Sequence, residues 1–265
     1  MSARHPYTRQ MQAAAFFDLD RTLIRRSSVL ALAGSFREHG VIRRRQLAKA
    51  AAWQLLFTAR GAGAETVRRA AEDGLMLLRG FAVDDLRRMV AEAMETVLKP
   101  LVFREALDLV DGHRERGEPV YLVSATLQEI VDEVAAELGF DGALGSVCEV
   151  ADGLYTGRSL RACHGEGKAA ALRELAAERG YDLAASTAYS DSHTDLAFLE
   201  AVGHPVAVNP DRRLRELALD RGWPIRLFDE PAFPARRAVS PAALAAIPLL
   251  LGAATAVWAA SRRAA

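Results

Sequence analysis

The chain has 265 residues, 51% of them hydrophobic, enough for a buried core in one large domain or in a core with a smaller partner. Thirty-four basic residues balance 34 acidic ones, so nothing global marks a nucleic-acid binder, which needs a basic excess to meet phosphate backbones. Two cysteines, Cys148 and Cys163, are too few for a disulfide scaffold and read as ordinary thiols in a reducing compartment.

Near the N-terminus, Arg4 and Arg9 precede an apolar run too short for a secretory signal, so a cytoplasmic location is expected. Residues 13–19 read as a strand buried on both faces, because the apolar run Ala-Ala-Ala-Phe-Phe shows no clean alternation. A long helical stretch follows, with predicted helices over 28–39, 43–57, 65–78 and 83–98. Gly40, the Gly61–Gly63 cluster and Gly80 punctuate it where turns are needed. From Pro119 onward strands and helices alternate. The predicted order is strand 119–123, helix 127–138 ended by Gly139, and a hairpin of 146–150 with 154–155 turned by Asp152-Gly153. Then come helix 168–179, strand 183–189, helix 195–201, strand 205–208 and helix 212–221. This is the rhythm of a Rossmann-like α/β core with a mostly parallel sheet and an inserted all-helical bundle. A site in such a sheet lies beyond the carboxyl ends of the strands.

Candidate chemistry collects at those ends. Asp18 and Asp20 close the first strand, and residues two apart in an extended chain point the same way. Taken alone, the pair could also be a solvated surface turn. Ser124 closes the second strand and reads on its own as a helix N-cap. Asp191 and Asp195 follow the strand 183–189. Lys168 follows Gly165 and Gly167, and is one of only three lysines in the chain. Together these residues supply what phosphoryl transfer needs: a nucleophile, oxygens for a hard metal, and cationic or N–H groups for phosphoryl oxygens.

The chain resembles the haloacid dehalogenase-like hydrolase superfamily, in the subfamily IB branch related to phosphoserine phosphatase. The family's first motif, Asp-x-Asp-x-Thr, matches Asp18-Leu19-Asp20-Arg21-Thr22, its second-motif Ser matches Ser124, its third-motif Lys matches Lys168, and its fourth-motif aspartates match Asp191 and Asp195. The resemblance implies a core of residues 12–24 and 100–232 with a helical cap of residues 25–99. It implies that Asp18 attacks phosphorus, that Asp20 acts as acid and then base, and that Mg²⁺ is held by Asp18, the Asp20 carbonyl and Asp191. Thr22, Ser124 and Lys168 then bind phosphoryl oxygens, with Asp195 supporting from behind. The implied activity is a phosphate monoester hydrolase acting on a small phosphorylated molecule. A phosphotransferase, in which an alcohol replaces water, is the alternative within the fold.

Two departures bear on the substrate. True phosphoserine phosphatases carry a glutamate where this chain has Ser27, and a cap arginine where an unaligned match places Gly74. Arg21, Arg25 and Arg26 are expected to crowd the entrance with positive charge instead. Residues 239–261 carry no charge and are flanked by Arg236, Arg237, Arg262 and Arg263. As a helix they would extend about 34 Å. They read either as a membrane anchor, with the site facing the membrane from the cytoplasm and a lipid phosphate as substrate, or as an apolar helix docking on the body or between subunits. The oligomeric state stays open.

Overall fold

The computed structural model describes residues 12–40, 76 and 78–233. A seven-stranded sheet in the order β4-β3-β2-β1-β5-β6-β7 forms its centre. Strand β1 (Ala15–Asp18) is wholly buried and pairs in parallel with β2 (Val120–Leu127) on one side and β5 (Thr187–Ser190) on the other. The chain first adds strands outward from β2 to β3 (Gly142–Ala151) and β4 (Leu154–Arg161). It then returns to the opposite side for β5, β6 (His204–Val208) and β7 (Ile225–Arg226). Only β4 runs antiparallel to its neighbour. The order reverses at β1, and this reversal opens a crevice at the carboxyl ends of β1, β2 and β5.

Alternation along β1 divides the core. Phe17 joins the cluster containing Leu122, Val131 and Tyr189, whereas Phe16 joins the one containing Tyr121, Leu172 and Phe198. Phe17 stacks on Tyr189 at 4.3 Å between ring centroids and meets Phe140 and His113 edge-on.

The described helices are α1 (Ser28–Ala31), α2 (Ala33–Glu38), α3 (Val83–Ala93), α4 (Arg104–Glu115), α5 (Gln128–Leu138), α6 (Glu166–Arg179), α7 (Leu196–Glu200) and α8 (Arg212–Arg221). The predicted helix 28–39 is interrupted at Leu32. The predicted helix 83–98 gives way after Ala93 to a π-helical turn, Met94–Leu98, and then a 3₁₀ turn, Lys99–Leu101. Pro100 explains the second change, since it lacks an N–H and its ring crowds the carbonyl four residues back. Helix α4 was not anticipated, nor was β7. The hairpin arms are longer than predicted, but their turn is the expected one, with Asp152 and Gly153 both at positive φ. Predicted helices 43–57 and most of 65–78, and the Gly74 position, lie outside the described residues. So does the charge-free stretch 239–261. Among the described residues no helix is long and apolar enough to cross a membrane.

The chain leaves the sheet region through one linker and returns through another beside it. Ile24 bridges Val102, the Arg25 N–H donates to the Leu101 carbonyl (2.9 Å), and the Phe103 N–H donates to the Leu23 carbonyl (3.0 Å). Phe103 also bridges Pro231, and the Ala232 N–H donates to Val102 (2.8 Å).

Because Phe17 is buried against three aromatic rings, Phe17→Ala should lower the unfolding free energy by about 3–5 kcal/mol in urea titrations. A loss below about 1 kcal/mol would mean that this cluster does not hold the centre of the sheet.

Candidate active site

Asp18 is the last residue of β1, at the reversal point, and is buried. After it the chain turns tightly, with the N–H groups of Leu23 and Ile24 both donating to the Leu19 carbonyl at 3.0 Å. Arg21 sits in this turn at φ 68°, a left-handed conformation that side chains other than glycine seldom adopt. The turn brings Asp20 back toward α1, where its Oδ1 accepts the Ser28 N–H at 2.8 Å.

Lys168 ties the site together. Its Nζ donates to Asp18 Oδ1 at 2.6 Å and to Asp195 Oδ2 at 2.7 Å, and it lies 4.8 Å from the centroid of the Phe198 ring. The ammonium is fully buried. Burial alone would lower its pKa, but the two carboxylates reverse this and hold it above the ordinary lysine value. Helix α6 begins two residues earlier than predicted, so Lys168 lies in its first turn and not at its first position. The approach needs Gly167, where a Cβ would lie 2.1 Å from the Ala162 carbonyl oxygen.

The carboxylates differ in their surroundings. Burial pushes Asp18 up to about 7 against the opposing pull of Lys168. Asp191, just beyond β5, is raised well above the usual carboxylate range by burial and then by the charge of Asp18, with Arg21 opposing. Arg21 Nε lies 3.5 Å from Asp191 Oδ2. Asp20 is also raised by burial, with the Ser28 N–H and the Ser27 hydroxyl working against it.

The structure therefore brings Asp18, Lys168, Asp191 and Asp195 together, with Asp20 one turn away. Ser124 is buried inside β2, not at its end, and is not a helix cap, because β2 runs on to Leu127 and α5 starts only after it. Ser124 instead lies in the stretch where the β2–β3 register shifts, and its Oγ accepts the Thr126 N–H at 3.2 Å. Among the described residues the buried Thr22 hydroxyl has no hydrogen-bond partner.

Of the residues expected at the entrance, Arg25 is placed elsewhere. Its Nη2 donates to the Asp229 carbonyl at 2.8 Å, and its guanidinium lies 5.5 Å from the Phe103 centroid, because the linker pairing turns it toward the C-terminal segment. Arg26 is exposed and Ser27 half-buried at the start of α1.

Two contributors were not anticipated. Ser190 Oγ donates to Asp195 Oδ2 at 2.7 Å, and Asp211, at the cap of α8, reaches the loop after β5. A serine directly before Asp191 was a readable signal for the first, whereas the second depends on a fold-level contact.

Removing the shared ammonium would leave two buried carboxylates facing each other. Lys168→Met should therefore cost about 3–5 kcal/mol of stability by urea unfolding at neutral pH. A variant as stable as the parent would show that the ion pairs contribute nothing to holding the site.

Comparison with known proteins shows the family. The family model for haloacid dehalogenase-like hydrolases matches residues 15–200. A probable phosphatase of Mycobacterium tuberculosis is 44% identical over 234 residues, covering 88% of this chain and 82% of that protein. A phosphoserine phosphatase of the same organism is 38% identical over 240 residues, covering 89% and 77%. A crystal structure of a protein of unknown function from Bordetella pertussis superposes with a TM-score of 0.70 at 32% identity, covering 82% of this chain and 98% of that one. With the model spanning the sheet from β1 through α7, the chain belongs to the haloacid dehalogenase-like hydrolase family.

Proposed function

We propose that the chain is a Mg²⁺-dependent phosphatase that hydrolyses a phosphate monoester of a small molecule through an aspartyl-phosphate on Asp18. The observation that carries this reading is the buried Lys168, held between Asp18 and Asp195 at 2.6 and 2.7 Å. A lysine so placed fixes the Asp18 carboxylate and offsets the repulsion between an anionic nucleophile and an anionic phosphate.

In the first half-reaction an Asp18 oxygen attacks phosphorus as the bond to the leaving oxygen breaks, and Asp20 gives that oxygen its proton. In the second, Asp20 takes a proton from water, whose oxygen attacks phosphorus, and the bond from phosphorus to Asp18 breaks to release inorganic phosphate. Asp20 suits both duties because burial raises its pKa and so favours proton exchange closer to neutrality. Its hydrogen bond to Ser28 holds it in place for both steps. Thr22, whose buried hydroxyl has no partner among the described residues, and Ser124 complete the surroundings of the phosphoryl oxygens.

Among the described residues no three His, Cys, Asp or Glu side chains cluster as a metal cage. The implied set needs only two carboxylates, Asp18 and Asp191, and the Asp20 carbonyl. These hard oxygens, with one carboxylate raising the pKa of the other, fit a small divalent cation that keeps several waters. When bound, Mg²⁺ supplies positive charge to the phosphoryl group.

Residues 25–99 are read as a cap reached through the paired linkers at Ile24 and Val102. Selectivity is assigned to that cap together with Arg21, Arg26 and Ser27. Ser27 offers no carboxylate to a substrate ammonium, so phosphoserine should not be favoured over other small phosphate esters.

With p-nitrophenyl phosphate, Asp18→Asn should reduce turnover to background. Chelation of Mg²⁺ should do the same to the parent, reversed by restoring the metal. Parent-like activity in Asp18→Asn would remove the assignment. A substrate panel of phosphoserine, sugar phosphates, nucleotides and lysophospholipids should favour an ester other than phosphoserine. Running it with and without an added acceptor alcohol should yield inorganic phosphate as the main product, whereas transfer to the alcohol would favour the phosphotransferase.

A further inference from the structure

Asp191 and Asp195 bracket a short loop, Ser192-His193-Thr194, that leaves β5 and enters a 3₁₀ turn, His193–Asp195. The loop's own bonds are few: the Thr194 N–H and Oγ1 reach Ser192 Oγ (3.3 and 3.0 Å), and the Asp195 N–H reaches the Ser192 carbonyl (3.1 Å). Most of its hold comes from outside. The Asp211 N–H donates to the Asp191 carbonyl at 2.8 Å. Asp211 Oδ2 accepts the His193 N–H at 3.0 Å, faces His193 Nδ1 at 2.8 Å, and lies 3.4 Å from Ser192 Oγ. Its other oxygen, Oδ1, accepts the Leu214 N–H at 2.8 Å and caps α8.

Asp211 is itself anchored. Pro210 precedes it, and the Asn209 side chain is bonded at both ends to Phe228, accepting its N–H at 2.9 Å and donating to its carbonyl at 3.1 Å. One residue thus grips the loop by its main chain and by one carboxylate oxygen, while its other oxygen ties it to a ten-residue helix.

We propose that Asp211 is a positioning residue: through Asp191 and His193 it sets the direction in which the Asp191 carboxylate enters the site. The proposal rests on the reading above, in which Asp191 holds Mg²⁺. That ion demands near-octahedral geometry, so a small tilt of one ligand weakens its hold. The alternative is that Asp211 does no more than cap α8. Asparagine separates the two, because it is an equally good cap through Oδ1. Its amide nitrogen, however, would point an N–H at the His193 N–H, donor against donor.

The test measures Mg²⁺ binding to the full chain by calorimetry without substrate, alongside kcat and KM for p-nitrophenyl phosphate and the melting temperature. Asp211→Asn should keep its melting temperature within a few degrees of the parent while Mg²⁺ affinity falls about 10- to 100-fold. The Mg²⁺ concentration for half-maximal activity should rise in parallel. Asp211→Ser, which can cap but is too short to span to His193, should show the same loss and serves if the asparagine variant folds poorly. Mg²⁺ affinity within twofold of the parent in either folded variant would overturn the proposal and leave Asp211 as a cap. A parent chain that neither binds Mg²⁺ nor hydrolyses the ester would overturn the proposed function itself.

Discussion

An ammonium group removed from water loses several kcal/mol of hydration, and only close opposite charge with good geometry returns it. Lys168 meets that requirement with Asp18 on one side, Asp195 on the other and the face of Phe198 against its flank. Much of the local architecture follows from satisfying this one group. The first turn of α6 must approach the ends of β1 and β5, which requires Gly167 at a place where any side chain would strike the Ala162 carbonyl. Asp195 in turn is fixed by Ser190, so the far side of the ion pair is anchored to the strand that flanks β1.

The two aspartates of the first motif lie two residues apart yet are held by different means. Asp18 faces a cation, whereas Asp20 faces the Ser28 N–H and the Ser27 hydroxyl. Similar side chains are thus placed in unlike electrostatic surroundings. The turn that separates them includes Arg21 at positive φ, and the same turn carries its guanidinium toward Asp191. A strained conformation beside these buried carboxylates is retained where the surrounding structure over-determines it.

The sequence made the sheet and the principal site legible because both rest on local pattern. The unbroken apolar run before Asp18 signalled a strand buried on both faces, and a carboxylate at its end had to find polar partners. Lys168 stood out because lysine is rare in this chain. What could not be read depended on contacts between distant segments. Arg25 looked like an entrance residue until the fold supplied Asp229, 204 positions away, as its partner. Ser124 looked like a helix cap because local preference cannot tell that β2 continues three residues further. Helix α4 was missed because its buried Ala106, Val110 and His113 are interleaved with charged residues, and a histidine does not announce itself as core. The clamp at Asp211 was not read at all, because it depends on the start of α8 meeting the loop after β5.

The position of β1 at the centre of the sheet has a consequence for how the molecule assembles. Its first partner strand begins at Val120 and its second at Thr187, and Asp18 is 150 positions from Lys168. Parallel pairings across such separations require long loops to close before any contact rewards them, so folding is slow compared with that of a helical bundle. During synthesis β1, an edge of alanine and phenylalanine, has no partner until β2 has emerged about 100 residues later, and its other side stays bare until β5 follows. Such an edge is an aggregation hazard while it lasts. The site's residues meet only once β1 has both its neighbours, so its assembly waits on the chain through Asp195.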